Sequence, residues 1–169
     1  MTLAIGTIRK RIEAQGFTGL SDGEISELNY WFRLAPAICL TWTAVGVAIA
    51  SPAVLFCLVP FALLGAVLPG HPFDLVYNRL IRHVINRREI PVYGRPRRFA
   101  CLMASVMISI TASVFYLGLP VVGYILGFMM FGMATVNVTT GFCVPSFIYG
   151  LVFGKPSCHV RDRGFESGL

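Results

Sequence analysis

The sequence predicts an all-α membrane protein with four transmembrane helices arranged as two hairpins, and with amphipathic helices at the cytoplasmic interface. Two stretches, Leu34 to Gly70 and Phe99 to Gly154, contain no Asp, Glu, Lys or Arg. A bilayer sorts charge in this way because a charged side chain at the centre of a spanning helix costs about 2.5–3.5 kcal/mol. Over the whole chain 56% of the residues are apolar and 13% are charged, whereas soluble domains carry about 25% charged residues. With no linker or repeat, residues 1–169 are interpreted as a single integral membrane domain.

The N-terminal segment differs from a signal peptide. In a signal peptide the apolar region directly follows a short basic region, whereas here a mixed segment with acidic residues separates the basic residues 9–11 from Leu34. We therefore expect the first apolar stretch to remain as a membrane anchor. Ser21 lies three residues before Glu24, which is the spacing of a capping box at the start of a helix.

The first uncharged stretch is predicted to form two spans, at about 33–49 and 53–68. A spanning helix needs about 20 apolar residues, with a range of about 17–25. Pro52, near the middle of the stretch, indicates a tight turn, because proline suits the first turn of a helix and disrupts its interior. Pro60 predicts a kink in the second helix, and the Pro-Gly pair at 69–70 ends it.

The segment between the uncharged stretches is predicted to form an interfacial helix over about 72–87. Apolar residues recur there at a spacing of three and four, while Asp74, Asn78 and basic residues fill the opposite face. We expect the basic residues in and after this helix to contact lipid headgroups or a partner subunit, and not nucleic acid. They are Arg79, Arg82, Arg87, Arg88, Arg97 and Arg98.

The second uncharged stretch is predicted to form spans at about 97–117 and 120–138, separated by a turn at residues 118–120. A single straight helix from there to Phe153 would be about 52 Å long, against a hydrocarbon core of about 30 Å. The Thr-Thr-Gly sequence at 139–141 is the predicted break, and a short apolar helix over about 142–153 follows it.

The positions of the basic residues predict the orientation. With four spans, the N-terminus, the middle segment and the C-terminal tail all lie on one side of the membrane, and all three are basic. The positive-inside rule makes that side the cytoplasm. We therefore expect a multi-pass protein of a bacterial inner membrane with both termini in the cytoplasm.

Small residues predict helix packing in the last two spans. Close approach of helices across small side chains holds bundles together in lipid, where no hydrophobic force acts between helices. Gly123 and Gly127 form a small-xxx-small pair, and Ser105, Ser109 and Ser113 form a stripe. The pattern leaves open whether these faces pack within the chain or against a partner.

His71 and the cysteines are the candidates for chemistry. His71 precedes Asp74 at the start of the interfacial helix, so it is either a cofactor ligand or proton relay, or the cap of a helix whose first turn Asp74 stabilises. No second histidine or carboxylate lies at ligand spacing on that face, and no metal site is predicted. The five cysteines, Cys39, Cys57, Cys101, Cys143 and Cys158, form no Cys-x-x-Cys pair. They are interpreted as small apolar residues, with a disulfide or a metal site as the less favoured alternative.

Three segments together resemble a known family. They are Leu20-Ser21-Asp22-Gly23-Glu24 before the first span, Gly94-Arg95-Pro96-Arg97-Arg98-Phe99-Ala100 at the third, and Gly141 to Gly150 at the end. This order resembles small bacterial membrane proteins known as a domain of unknown function, with four spans and a terminal Gly-aromatic-Cys-x-x-Cys-x-x-Tyr signature. The resemblance covers about residues 20–154. Cys143 matches the first cysteine of that signature, but Ser146 replaces the second, so the redox or sulfur chemistry that paired thiols imply does not carry over.

These features favour a non-catalytic membrane protein, namely an accessory, assembly or scaffolding subunit of a larger photosynthetic or respiratory complex. The sequence contains no P-loop, dinucleotide fingerprint or catalytic serine motif, and no Asp, Glu, Lys or Arg within its two uncharged stretches. One alternative is a redox or sulfur-handling protein that uses Cys143, with His71 and Asp74 as helpers. Another is an oligomeric small-solute channel. We expect bound lipid and no resident cofactor, with pigment or haem held only through a partner.

Overall fold

The computed structural model describes residues 2–17, 19–85 and 89–154, and over these residues the chain forms helices and turns without a strand. The predicted all-helical class is confirmed. The elements are α1 (Thr2–Ala14), α2 (Asp22–Leu28), a 3₁₀ turn (Trp31–Arg33), α3 (Leu34–Ala48), α4 (Pro52–Val67), α5 (Pro72–Val76), a π-helical turn (Tyr77–Ile81), α6 (Arg82–Ile85), α7 (Arg95–Tyr116), α8 (Pro120–Thr140) and α9 (Val144–Phe153).

Among the described residues, three helical segments are long and apolar enough to cross a membrane: Trp31–Ala48, α7 and α8. A fourth is added if α4 is counted together with the segment Pro72–Ile85, from which it is bent by 73°. This bend turns the chain away from the axis of α4. Residues 68–94, which we call the connection, join α4 to α7.

Local caps shape the turn between α3 and α4. Pro52 is the first residue of α4, and the hydroxyl of Ser51 accepts a hydrogen bond from the Val54 N–H at 3.5 Å. The indole Nε1 of Trp42 donates to the Val54 carbonyl at 2.9 Å, which ties the two helices together beside the turn. Gly46 lets Leu55 approach closely, since a Cβ at Gly46 would lie 2.6 Å from a Leu55 methyl carbon.

The membrane part of the core lies mainly between α4 and α7, which share the most extensive interface, and α8 packs against α3 and α7. Gly127 of α8 contacts Val47, and Gly123 contacts the ring of Phe115. The two glycines are buried and pack within the chain. The buried apolar residues of this core are Val47, Leu55, Leu58, Ala62, Ile108, Ala112 and Phe115.

A second core lies where the N-terminal helices cover the start of α7. The predicted capping box is confirmed: the Ser21 hydroxyl accepts from the Glu24 N–H, and the Ser21 N–H donates to the Glu24 carboxylate at 2.8 Å. The N-terminal segment up to the 3₁₀ turn contributes five residues to this core, and the segment after α4 contributes three. Its buried residues are Ile12, Phe17, Ile25, Leu28, Phe32, Tyr77, Ile90 and Tyr93.

The segment after α4 differs from the predicted interfacial helix. It is helical from Pro72 to Ile85 but contains a π-helical turn, and residues 86–88, with the end of the predicted helix, lie outside the described residues. The prediction that Asp74 shares an outward polar face is wrong, because Asp74 is 1% exposed. Tyr77, three residues after Asp74, lies on the same side of the helix and packs against Trp31, with 4.5 Å between the ring centroids. This contact turns the side of the helix that carries Asp74 towards the protein interior.

The C-terminal helices meet at Gly141, which has a positive φ of 70° and ends α8. Helix α9, ten residues long, packs against α7. The hydroxyl of buried Ser146 donates to the Pro96 carbonyl at 3.2 Å and fixes α9 beside the first turn of α7. Ser146 therefore has a structural hydrogen bond.

Candidate functional site

A buried polar cluster lies where the connection after α4 meets the start of α7. We call it the junction cluster, and its members come from α3, from the connection and from α7. His71, Asp74 and Arg97 are 3%, 1% and 5% exposed, respectively. The complete set is Cys39, His71, Asp74, Tyr93, Arg97 and Cys101.

His71 is held in one orientation as the cap of α5. Its Nδ1 accepts a hydrogen bond from the Phe73 N–H at 3.5 Å, so the ring proton of the neutral imidazole lies on Nε2. Nε2 lies 3.8 Å from the Sγ of Cys39, and an N–H donor is therefore directed at the sulfur. Burial lowers the pKa of His71 to about 4, and the positive charge of Arg97 acts in the same direction. The ring is thus neutral at physiological pH.

Cys101 lies beside the same ring. A Cβ built on Gly65 would lie 2.6 Å from the Cδ2 of His71 and 3.2 Å from the Sγ of Cys101. The absence of a side chain at Gly65 lets the imidazole and the Cys101 thiol pack together against α4. Thiols from two different spanning helices, α3 and α7, therefore flank one imidazole.

Arg97 is the positive charge of the cluster. Its Nη1 donates to the Gln15 side-chain oxygen at 2.6 Å, and its Nη2 donates to the Phe32 carbonyl at 2.7 Å. The guanidinium also lies over the rings of Tyr93 and Phe17, at 4.6 and 5.2 Å from their centroids. The prediction that Arg97 contacts lipid headgroups is therefore wrong, because its donors are used inside the protein.

Asp74 is the buried carboxyl of the cluster. The Tyr93 hydroxyl donates a hydrogen bond to Oδ2, while Oδ1 has no hydrogen-bond partner within the described part of the chain. Burial raises the pKa of the Asp74 carboxyl, and the charge of Arg97 and the Tyr93 hydrogen bond act against this increase. Burial also raises the pKa of Tyr93 well above its ordinary value of 10, so the hydroxyl remains a donor.

Two arginines and a glutamine bind the carbonyls at the end of α8. Arg11 donates to the Thr140 carbonyl at 2.5 Å, and Gln15 donates to the Gly141 carbonyl at 2.8 Å. Arg33 donates to the carbonyls of residues 138 and 139 at 2.9 and 2.7 Å. Cations at a helix C-terminus satisfy the free carbonyls and complement the helix dipole. The N-terminal segment is thereby fastened to the end of the fourth apolar helix.

The other predicted contact residues lie at the surface or outside the described residues. Arg79 is exposed, Arg82 forms an ion pair with Glu89 at 2.9 Å, and Arg98 is partly buried. Arg87 and Arg88 lie outside the described ranges. For every member of the predicted set except Arg97, contact with lipid headgroups or a partner subunit stays a prediction.

The exposure of the predicted serine stripe increases along α7. Ser105 is buried, Ser109 is partly buried and Ser113 is exposed. The hydroxyls of Ser105 and Ser109 donate to carbonyls of their own helix at 2.8 Å.

Of the remaining three cysteines, Cys158 lies outside the described residues, and the other two differ in environment. Cys143 is buried and lies within electrostatic range of Cys101, whereas Cys57 is exposed in an open apolar groove of about 750 Å³ between α3 and α4. In the ranges that the structure describes, no three His, Cys, Asp or Glu side chains are placed to hold a metal ion. Sequence reasoning did not identify Cys39 and Cys101 as a site, because each is a single cysteine within an apolar span.

The fold and the candidate spans define a multi-pass helical membrane protein. A family model for a domain of unknown function (DUF4395) matches residues 29–153, and the chain belongs to this family. The family that the sequence resemblance indicated is thus confirmed, while α1 and α2 precede the matched region. No curated protein and no solved structure gives a match.

Proposed function

We propose that this protein is a membrane thiol protein whose function depends on reversible oxidation of Cys39 and Cys101 beside His71. The observation that carries the proposal is the convergence of two thiols from different helices on one imidazole with its N–H directed at sulfur. Both cysteines are partly accessible in the structure. This proposal transfers the redox role considered for Cys143 to a pair of thiols that the fold brings together.

The chemistry is thiol–disulfide exchange with a disulfide of a small molecule or a partner protein. The Cys39 thiolate attacks one sulfur of that disulfide, its S–S bond breaks, and one thiol of the partner leaves. Cys101 then attacks the mixed disulfide at Cys39, and the second partner thiol leaves. The pair is oxidised to a disulfide, the partner is reduced to two thiols, and the two thiol protons pass to the departing sulfurs.

His71 supports this reaction as a hydrogen-bond donor. A thiolate is the nucleophile in exchange, and a directed N–H stabilises its charge. The imidazole does not serve as the base, because Nε2 already carries the proton and Nδ1 is occupied by the Phe73 N–H.

Oxidation of the purified full-length protein in detergent tests the proposal. After diamide treatment and alkylation of the remaining thiols, peptide mass spectrometry should show a Cys39–Cys101 disulfide. C39S and C101S should each abolish it, while C57S, which removes an exposed thiol outside the cluster, should leave it unchanged. Two alkylated thiols at Cys39 and Cys101 after oxidation would contradict the proposal.

A second candidate function is the accessory or scaffolding subunit of a larger inner-membrane complex. It is supported by α8, of which only 11% of the apolar window is buried within the chain. Gly132 opens onto free space on this helix, where a small residue permits close approach of lipid or another helix. Purification in a mild detergent with mass spectrometry should return stoichiometric partner subunits, and a monomer carrying only lipid would count against this function.

For either function we propose four spans in two hairpins with both termini in the bacterial cytoplasm. The hydrogen bonds from Arg11 and Arg33 to the end of α8, and from the Tyr93 N–H to the Pro69 carbonyl at 2.7 Å, support this arrangement. These bonds join the N-terminal segment to the end of α8 and join the two ends of the connection, as expected if all of them lie at one end of the bundle. In intact cells, an impermeant maleimide should label a cysteine introduced at Gly118 and not one introduced at Ser21, and the opposite pattern would refute the orientation.

A further inference from the structure

We propose that the junction cluster holds one exchangeable negative charge opposite Arg97, located on Asp74 at rest and on a thiol sulfur during exchange. This inference rests on the proposed thiol function and identifies how a thiolate forms in a buried site. Asp74 would be the proton-binding group of the reaction.

The first argument is the state of the Asp74 carboxyl. Its side chain is almost fully buried, Oδ2 is bound by the Tyr93 hydroxyl, and Oδ1 has no partner among the described residues. A buried acceptor without a partner loses its hydrogen bonds to water and gains none in return, so the unpaired Oδ1 disfavours the ionised carboxylate. A proton satisfies Oδ1 without requiring any additional space.

The second argument is the balance of charge around the site. The titratable and charged groups that interact with Asp74 are neutral Tyr93 on the connection, Cys39 on α3, and Arg97 and Cys101 on α7. His71, which caps the helix of Asp74, is neutral. Arg97 is the one cation in this set, so one anion balances it. A second buried anion has no counter-charge and is disfavoured.

The third argument follows from these two. When the Cys39 S–H bond breaks and its proton forms an O–H bond with Asp74, the negative charge moves from oxygen to sulfur and the charge of the cluster is unchanged. The electron pair remains on sulfur, where the His71 N–H is directed. When the partner's thiolate leaves, it takes the proton from Asp74, and the carboxylate returns.

The experiment compares the rate of Cys39 alkylation by N-ethylmaleimide between pH 5 and pH 9 in the full-length protein. In D74N the one negative charge must reside on sulfur, so the alkylation rate near neutral pH should rise about tenfold or more and its profile should move to lower pH. In Y93F the carboxylate loses a hydrogen bond and becomes a stronger base, so the rate should change in the same direction by a smaller factor. D22N replaces an exposed carboxylate, 67% accessible at its side chain, and should leave the profile unchanged.

The alkylation profiles of D74N and Y93F decide whether Asp74 exchanges its charge with the Cys39 sulfur. Folded D74N and Y93F proteins with the wild-type alkylation profile, or with slower alkylation, would overturn it. Size-exclusion elution and circular dichroism establish folding, and Y93F, which keeps the carboxyl, provides the test if D74N does not fold. If D74N shifts the profile but diamide forms no Cys39–Cys101 disulfide, the charge exchange stands and only the proposed redox function fails.

Discussion

The two ends of the helical bundle are built by different physical means. At the end that carries the turns between α3 and α4 and between α7 and α8, contacts are local: the hydroxyl of Ser51 caps its own helix, and the Gly118 N–H bonds to the nearby Phe115 carbonyl at 3.1 Å. At the junction end, contacts join distant segments, as Arg97 does with Gln15 and Phe32. The difference indicates that one end only closes the hairpins, while the other assembles a polar site.

The strongest test of this difference is the loss of the central cation. In R97M the Gln15 oxygen and the Phe32 carbonyl lose their donors and the Asp74 carboxyl loses its counter-charge. Removing one partner of a buried charged network costs about 3–5 kcal/mol, so thermal denaturation in detergent should show a large decrease in stability. R79M removes an exposed arginine at the surface and should change stability little; equal effects of the two substitutions would contradict the role of the junction.

The next test fills the space beside Gly65, where the side chains of His71 and Cys101 pack against α4. In G65A the new Cβ would lie 2.6 Å from the Cδ2 of His71, whose ring is held by its cap. Overpacking costs about 1–3 kcal/mol, and we expect the upper part of that range together with altered alkylation of Cys101.

The matched control for G65A is G132A in α8. The new methyl group there meets nothing within 4 Å, and alanine favours a helix over glycine by about 1 kcal/mol. Its effect should therefore be neutral or stabilising. Destabilisation of similar size in both variants would show that the tight contact at Gly65 is not the cause.

A third test uses pH. The pKa of His71 is lowered from 6.5 to about 4 in the folded protein, so the unfolded chain binds a proton that the native protein does not. The stability that results is complete above pH 6.5 and is lost as the pH falls towards 4. Between pH 7.5 and pH 5 this amounts to about 2 kcal/mol.

The H71N variant isolates this contribution, because asparagine can still cap α5. Between pH 7.5 and pH 5, the stability measured by thermal denaturation should decrease more in the wild type than in H71N. The difference between the two decreases should be about 2 kcal/mol. The raised pKa of Asp74 acts with the opposite sign, since its native form binds a proton more readily, but it is present in both proteins. Identical pH profiles would exclude a buried neutral His71.

The elements that sequence reasoning predicted correctly are those fixed by local chemistry. The capping box at Ser21 and Glu24 follows from residue types a few positions apart, and it is present. The role of Arg97 could not be predicted in this way, because its partners are separated from it by 65 and 82 residues. The burial of Asp74 was missed for the same reason. Its position in the helical pattern falls on the polar face, but Tyr93 and α7, which are distant in sequence, cover that face.

The smallest expected effect lies at the local end of the bundle. In S51A the Val54 N–H loses its side-chain acceptor, and the loss of such a cap costs about 1 kcal/mol. S51T should restore most of the stability, since its hydroxyl can accept the same hydrogen bond. Because this turn contributes no residue to the junction cluster, the alkylation profile of Cys39 should be that of the wild type in both variants. A change in that profile in S51A would mean that the two ends of the bundle are coupled through α3 and α4, and that the hairpin turn contributes to the site as well as to the fold.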